Sequence, residues 1–214
     1  MTGEVRNGRF KGKTFSSRSS GNELLYCRKQ KDKALIIDPG DNAARIVQII
    51  KEDGVVPVAV LLTHGHFDHA MAAQEVAEQY GIKIYAHETE KETLETPQIN
   101  LSGMIGRTLT FHADCYVKDG EILNLAGFEI RVLHTPGHTQ GGVCYYIEEE
   151  KALFSGDTLF CQSVGRTDFP TGKSSTLIHS IQDKLMPLPD DTMVYTGHED
   201  MTTIGMERKY NPFL

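Results

Sequence analysis

Residues Thr63 to His69 read Thr-His-Gly-His-Phe-Asp-His, so His64, His66, Asp68 and His69 stand within six consecutive positions. Imidazole nitrogens suit zinc and other transition metals, and a carboxylate adds an oxygen ligand that cancels part of the ion's charge. In extended backbone His64 and His66 project to the same side, whereas Asp68 and His69, entering a helix, turn elsewhere. Two adjacent metal positions are compatible with that spacing. Four ligands do not close two sites, so a two-metal reading requires more His, Asp or Cys further along the chain. Three residues meet the requirement: His138 in Thr135-Pro136-Gly137-His138-Thr139, Asp157 in Ser155-Gly156-Asp157-Thr158, and His198 in Thr196-Gly197-His198-Glu199. Each follows a predicted strand, and each has a glycine beside it that lets backbone approach closely. Taken singly, Asp157 would be a turn or cap residue and His138 or His198 a hydrogen-bonded loop histidine. The cluster at 64–69 is what lends them a metal-binding role.

The elements that must position these residues are partly visible. Val58 to Leu62 is an unbroken apolar stretch of the kind found in strands buried on both faces. Ala70 to Tyr80 is rich in Ala, Glu and Gln and ends at Gly81, which predicts a helix with a glycine stop. The 64–69 cluster therefore lies at a strand-to-helix junction, where a rigid scaffold commonly presents catalytic loops. Upstream, strands are predicted at Glu23–Arg28 and Ala34–Asp38. A helix follows from about Asn42 to Glu52, with Ile46, Val47, Ile49 and Ile50 at helical spacing and a stop at Asp53-Gly54. Ile82–Ala86 is a short strand, and Thr93–Gly106, without periodicity, is a candidate loop over the site or a surface connection. In the second half, Leu123 and Leu125 precede Ala126-Gly127, and Phe128, Ile130 and Val132 alternate with polar residues as in a hairpin. Val143–Ile147 and Ala152–Ser155 flank Glu148-Glu149-Glu150 as another strand pair. Ser174 or Ser175 can cap a helix carrying Leu177, Ile178, Ile181 and Leu185, and Met193–Thr196 is the last strand. Periodicity alone gives mixed α and β, in two similar halves of strands followed by helix.

Composition narrows the classes. With 214 residues, 39% of them hydrophobic, there is material for a sizeable core, and no linker, low-complexity run or internal repeat divides the chain. Apolar stretches are only strand-length, which excludes a membrane-spanning helix, and the polar start Met1 to Lys13 lacks the apolar centre of a signal peptide. A cytoplasmic location is the expectation. Cys27, Cys115, Cys144 and Cys161 form no paired motif, so they are expected as buried small hydrophobes rather than disulfides. The formal net charge of −7 argues against nucleic acid as a partner. Gly172-Lys173-Ser174 has the look of the end of a phosphate-binding loop, but position 167, where the first glycine belongs, is Thr, and a helix start is the better reading. His87, His112, His134 and His179 carry no such context and are read as structural or surface residues.

In order and spacing, the 64–69 run followed by His138, Asp157 and His198 resembles the metallo-β-lactamase-fold hydrolases over nearly the whole chain. Within them it is most similar to glyoxalase II-like proteins, through His134-Thr135-Pro136-Gly137-His138-Thr139, Phe154-Ser155-Gly156-Asp157-Thr158-Leu159-Phe160 and Gly165-Arg166-Thr167-Asp168. The tail, Thr202-Thr203-Ile204-Gly205 with Asn211-Pro212-Phe213-Leu214, looks like that of the small single-domain members. The resemblance implies an α+β fold, a four-layer αββα sandwich of two mixed sheets flanked by helices. It also implies one domain over residues 1–214, without the C-terminal helical domain by which full-length glyoxalase II helps to grip glutathione. His64, His66 and His138 would hold one divalent metal, Asp68, His69 and His198 the other, and Asp157 would bridge them. Zinc is the first choice, with iron or manganese as alternatives. Asp68 is in addition the candidate catalytic residue that orients the attacking water. Arg166 stands where glyoxalases II place a basic residue near the substrate, as an anchor for an anionic group.

The implied reaction is metal-dependent hydrolysis of a small-molecule thioester of the S-2-hydroxyacylglutathione type to a hydroxy acid and a thiol. A thiol of pKa about 8.5 departs without a strong general acid, which fits a chain offering no isolated Asp, Glu or His as proton donor. Three alternatives stand beside it. A lactonase or β-lactamase would use the same metals with another pocket. A persulfide dioxygenase, which shares the fold, the ligand pattern and a Gly-Arg-Thr-Asp segment like residues 165–168, would hold a single iron on His64, His138 and Asp157. A non-catalytic metal-binding module would need fewer ligands than this chain offers.

Overall fold

A computed structural model of the chain describes residues 33–214 in full and, before them, the backbone of three strands, β1 (Gly3–Asn7), β2 (Phe10–Ser16) and β3 (Glu23–Arg28). These join β4 (Lys33–Ile37), β5 (Val56–Leu61), β6 (Lys83–His87) and β7 (Cys115–Val117) in a seven-stranded sheet of order β1-β2-β3-β4-β5-β6-β7. Pairing is antiparallel as far as β3–β4 and parallel from β4–β5 onward. The parallel half needs crossovers, supplied by α1 (Ala43–Glu52) between β4 and β5, and by α2 (Phe67–Ala70) and α3 (Ala73–Tyr80) between β5 and β6. Between β6 and β7 lie α4 (Lys91–Glu95) and a 3-10 turn at Ser102–Ile105.

The second sheet contains β8 (Ile122–Leu125), β9 (Phe128–His134), β10 (Val143–Ile147), β11 (Ala152–Gly156), β14 (Met193–Thr196) and β15 (Thr202–Thr203), in the order β15-β14-β11-β10-β9-β8. Only its β11–β14 pair is parallel. A small hairpin, β12 (Leu159–Phe160) with β13 (Ser163–Val164), leaves β11, and α5 (Ser174–Ser180) and α6 (Ile204–Tyr210) complete this half.

Strand alternation separates three apolar layers. Leu35, Ile37, Ala59 and Leu61 face Phe128, Ile130, Val132, Tyr145 and Phe154 between the sheets. The opposite faces of the same strands, Ala34, Ile36, Val60 and Leu62, pack on Ile46, Ile50, Val76 and Ala77 of α1 and α3. On the far side, Cys144, Tyr146, Leu153 and Val194 pack on Leu177, Ile181 and Leu185. Strands buried on both faces explain why β4, β5 and β10 are apolar at consecutive positions rather than alternating. This is the αββα sandwich of mixed sheets that the resemblance implies. No described helix is long and apolar enough to cross a membrane.

Local differences from the sequence reading have local causes. The helix expected over Ala70–Tyr80 is two pieces, because the Ala72 N–H donates to the Pro39 carbonyl instead of continuing the helical ladder. The first piece starts at Phe67, which puts Asp68 and His69 inside it. Neither Ser174 nor Ser175 caps α5; Lys173 takes that position and makes no side-chain cap. The polar stretch Met1 to Lys13 contains β1 and the first four residues of β2. Cys115, Cys144 and Cys161 are free thiols, and only Cys144 is fully buried; the side chain of Cys27 lies outside the described residues.

Candidate metal centre

The seven residues singled out by sequence come together at the C-terminal ends of β5, β9, β11 and β14. His64 and His66 stand on the loop leaving β5, and Asp68 and His69 on the first turn of α2. His138 follows β9, Asp157 follows β11, and His198 follows β14. Ligand atoms of His64, His66 and His138 lie within 4.8 Å of one another, and so do those of Asp68, His69 and His198. His66 Nδ1 is 3.0 Å from His138 Nε2, and His69 Nε2 is 3.3 Å from His198 Nε2. Asp157 touches both groups: Oδ1 lies 3.2 Å from His69 Nε2, while Oδ2 lies 3.6 Å from His138 Nε2 and 3.7 Å from His198 Nε2.

Two backbone features aim Asp157. The pairing of β11 with β14 shifts register between Phe154 and Gly156, an irregularity of the kind that turns a side chain toward a site. Gly156 itself adopts φ +48°, and a Cβ there would sit 2.2 Å from Thr63 Oγ1. Only glycine lets the end of β11 come this close to the loop after β5.

Three histidines have their tautomers set from outside. His138 Nδ1 donates to the Arg166 carbonyl at 2.7 Å, and His69 Nδ1 donates to Asp38 Oδ2 at 3.0 Å. The Thr63 hydroxyl donates to Asp38 Oδ2, which leaves its oxygen to accept from His64 Nδ1 at 3.2 Å. For His64 and His138 this leaves the Nε2 lone pair turned inward, and for His69 it fixes Nε2 as the inward atom, the arrangement that outer partners impose on metal-bound imidazoles. Asp38, which also accepts the Thr63 N–H at 2.7 Å, is buried. It was not among the sequence candidates, and neither was Glu90, a fully buried carboxylate behind the loops of His66 and His138. The only local sign of Asp38 was its position at the end of a predicted strand.

The electrostatics suit a cation. Burial holds His64 well below the usual imidazole range, and burial with the neighbouring His138 brings His66 down to about 3. Both rings are neutral and able to ligate. Burial opposes charge on His69, but Asp157 and Asp38 outweigh it and raise that ring well above its ordinary value. Burial likewise raises Asp157 and Asp68, but His69 overcomes it for Asp157 and the His198 hydrogen bond for Asp68, so both carboxyls stay low. Two ionised carboxylates and convergent imidazoles in a buried pocket constitute the donor set of a hard-to-borderline divalent ion. The buried Nε2 atoms of His64 and His66 have no hydrogen-bond partner among the described residues, a cost that a ligated ion would remove for the His64 lone pair. The residues fit the metal.

Above this floor opens a cleft of about 640 Å³. Its walls include Phe67, Phe160, Val164 and Phe169, together with Leu101, Met104 and Ile105 from the Thr93–Gly106 segment. That segment therefore borders the site. Leu101 holds a left-handed backbone (φ +66°), and buried Asn100 braces the turn by donating to the Leu94 and Leu109 carbonyls while accepting the Ser102 N–H. Arg166 also lines the cleft, but its exposed guanidinium makes two hydrogen bonds to Asp168 and lies 3.9 Å from the centre of the Phe169 ring. Of the histidines read as structural, His87 stacks on His134 with ring centres 4.0 Å apart and His112 is exposed beside Glu95; neither lines the cleft.

Comparison with known proteins agrees with this arrangement. Residues 20–198 match the family model described as the metallo-beta-lactamase superfamily. A probable metallo-hydrolase of Bacillus subtilis, YqgX, is 45% identical over 186 residues, covering 86% of this chain and 88% of its own. Hydroxyacylglutathione hydrolase GloC of Haemophilus influenzae is 42% identical over 184 residues, covering 85% and 87%. Among solved structures, the BLEG-1 B3 metallo-beta-lactamase superposes with a TM-score of 0.90 at 39% identity, over 95% of this chain and 99% of that one. The family match and the identity to these relatives show that the chain belongs to the metallo-β-lactamase superfamily of metal-dependent hydrolases.

Proposed function

We propose that the protein is a binuclear metal-dependent thioesterase of the glyoxalase II type, which cleaves an S-2-hydroxyacylglutathione-like thioester to a hydroxy acid and a thiol. The observation that carries the reading is Asp157, whose carboxylate reaches both ligand groups at the floor of one cleft. His64, His66 and His138 would hold one ion and Asp68, His69 and His198 the second, with zinc as first choice. When bound, such a pair supplies a Lewis acid for the acyl oxygen and lowers the pKa of a trapped water.

The chain's own residues do the rest. Asp68 is partly exposed at the cleft floor and is fixed by His198, 3.4 Å away, so its carboxylate can accept a hydrogen bond from the attacking water and orient it. Phe67, Phe160 and Phe169 displace solvent around the acyl carbon, which strengthens electrostatic contacts inside. A thiolate leaves without a dedicated acid, and Arg166 at the rim is the anchor for an anionic group on the thiol half. The name of the Haemophilus influenzae relative supports this substrate class.

The segment 202–214, which resembles that of the small single-domain hydrolases, favours a hydrolase over a single-iron dioxygenase on His64, His138 and Asp157. A β-lactam or lactone ring opened by the same floor is the second reading, supported by the likeness to BLEG-1. The deciding measurement is thiol release from S-D-lactoylglutathione by metal-replete protein, run beside a chromogenic cephalosporin, with His66→Ala as the control for contaminating esterases. Thiol release that disappears in the variant supports the thioesterase. Ring opening without thiol release transfers the assignment to the second reading.

A further inference from the structure

Glu90, just after β6, is a carboxylate 1% exposed that faces the back of the ligand loops rather than the cleft. Its Oε1 accepts the N–H of Gly65 at 2.8 Å, the residue between His64 and His66. Its Oε2 accepts the N–H of Gly141 at 2.7 Å and the hydroxyl of Thr139, next to His138, at 3.0 Å. One side chain from the first half of the chain thus ties together two loops separated by more than seventy residues. The contact is close: a Cβ on Gly141 would stand 2.4 Å from the Glu90 backbone nitrogen and 2.5 Å from its Oε2.

We infer that Glu90 is a positioning residue that sets the separation of the His66 and His138 loops, and through it the divalent-metal affinity of the His64–His66–His138 group. The inference rests on the ligand assignment above. Glu90 offers nothing to the Asp68–His69–His198 group, whose outer partner is Asp38. The Gly65 N–H, the Gly141 N–H and the Thr139 hydroxyl all donate to Glu90, whose two oxygens are divided between the loops. A carboxamide must therefore turn its NH2 toward the Gly65 N–H or the Gly141 N–H, and one loop loses its tie.

The test is metal binding rather than turnover. Chelator-stripped protein is titrated with Zn(II) against a chromophoric competitor, and with Co(II), whose visible spectrum reports ligand geometry. His66→Ala and His198→Ala identify which binding step belongs to which group. Glu90→Gln is expected to weaken the step lost in His66→Ala by on the order of 10- to 100-fold, the usual cost of removing an outer partner, and to alter its Co(II) spectrum. The other step should stay within about threefold of wild type. Glu90→Asp keeps the charge but is a methylene too short to span both loops, and it should show the same loss; full recovery in this variant would overturn spanning in favour of charge. Thr139→Val removes one of the three donors and serves if Glu90→Gln does not fold, with a smaller loss at the same step. Equal weakening of both steps, or a lower melting temperature with both constants unchanged, makes Glu90 merely structural and overturns the inference. Wild-type protein that takes up no metal defeats the ligand assignment itself, a different failure, and removes this role with it.

Discussion

Asp38→Asn changes one atom behind the metal centre, and its effect can be worked through from the hydrogen bonds. Asp38 Oδ1 accepts the Thr63 N–H, and Oδ2 accepts both the Thr63 hydroxyl and His69 Nδ1–H. The Thr63 N–H cannot reverse its role, so the asparagine oxygen must stay at the Oδ1 position and the NH2 must face His69 and the hydroxyl. The hydroxyl can turn and accept. His69 must then accept at Nδ1, which moves its proton to Nε2, the atom aimed at Asp157 and His198. The variant keeps volume and most hydrogen bonds, so folding stability should change by only about 1 kcal/mol. The Asp68–His69–His198 group should lose about 10- to 100-fold in metal affinity, or roughly 1.4 to 2.7 kcal/mol at 1.36 kcal/mol per decade. Asp38→Ala strands three donors, one of them on buried His69, and should cost about 3 to 5 kcal/mol of stability. Metal content after dialysis against buffered zinc, with denaturant melts alongside, measures both quantities. An Asp38→Asn protein that retains wild-type affinity at both steps refutes the tautomer reasoning.

Gly156→Ala meets both a left-handed backbone and a Cβ 2.2 Å from Thr63 Oγ1. Strain of about 1 to 2 kcal/mol plus the forced separation should total about 3 kcal/mol, a fall of roughly 6 to 12 °C in melting temperature, together with loss of metal. A variant that melts like wild type would show that the strand end can shift freely. Arg166→Ala should raise KM for an anionic thioester while leaving metal content intact, because the group that holds His138 is the Arg166 backbone carbonyl; an unchanged KM removes the side chain from the site. His87, held to about 4 by burial and then by the stacked His134, predicts a pH effect. As pH falls from about 6.5 toward 4 the unfolded chain takes up a proton that the folded ring does not, so stability is lost across that window. His87→Gln should flatten that decline by about 1 to 2 kcal/mol, less than the roughly 3 kcal/mol a fully desolvated ring would give, and parallel pH profiles of the two proteins would contradict it.

What the sequence determined by itself was chemistry that depends on residue type and short spacing. The 64–69 run marks candidate ligands because few other uses concentrate three imidazoles and a carboxylate so tightly, and Gly156, Gly197 and Gly137 mark the loops of the remaining candidates. Alternation at Phe128, Ile130 and Val132 gave a strand with one face toward the core, and the apolar spacing from Ile46 to Ile50 with the stop at Asp53-Gly54 gave α1 within a residue. The resemblance added the division of ligands into two groups. Other features were decided only by tertiary structure. Asp38, marked only by its place at the end of a predicted strand, and Glu90, with no local mark, acquire meaning because Thr63 and Gly65, each 25 residues away in sequence, bring obligatory N–H donors to them. Arg166 was legible as a basic residue near the site, but the hydrogen bond from His138 to its carbonyl needs the fold. The split between α2 and α3 depends on a bond from Ala72 to Pro39 that no helical periodicity contains. Ligand identity is a property of side chains, whereas ligand orientation is a property of what packs behind them, and that is settled only when distant segments meet.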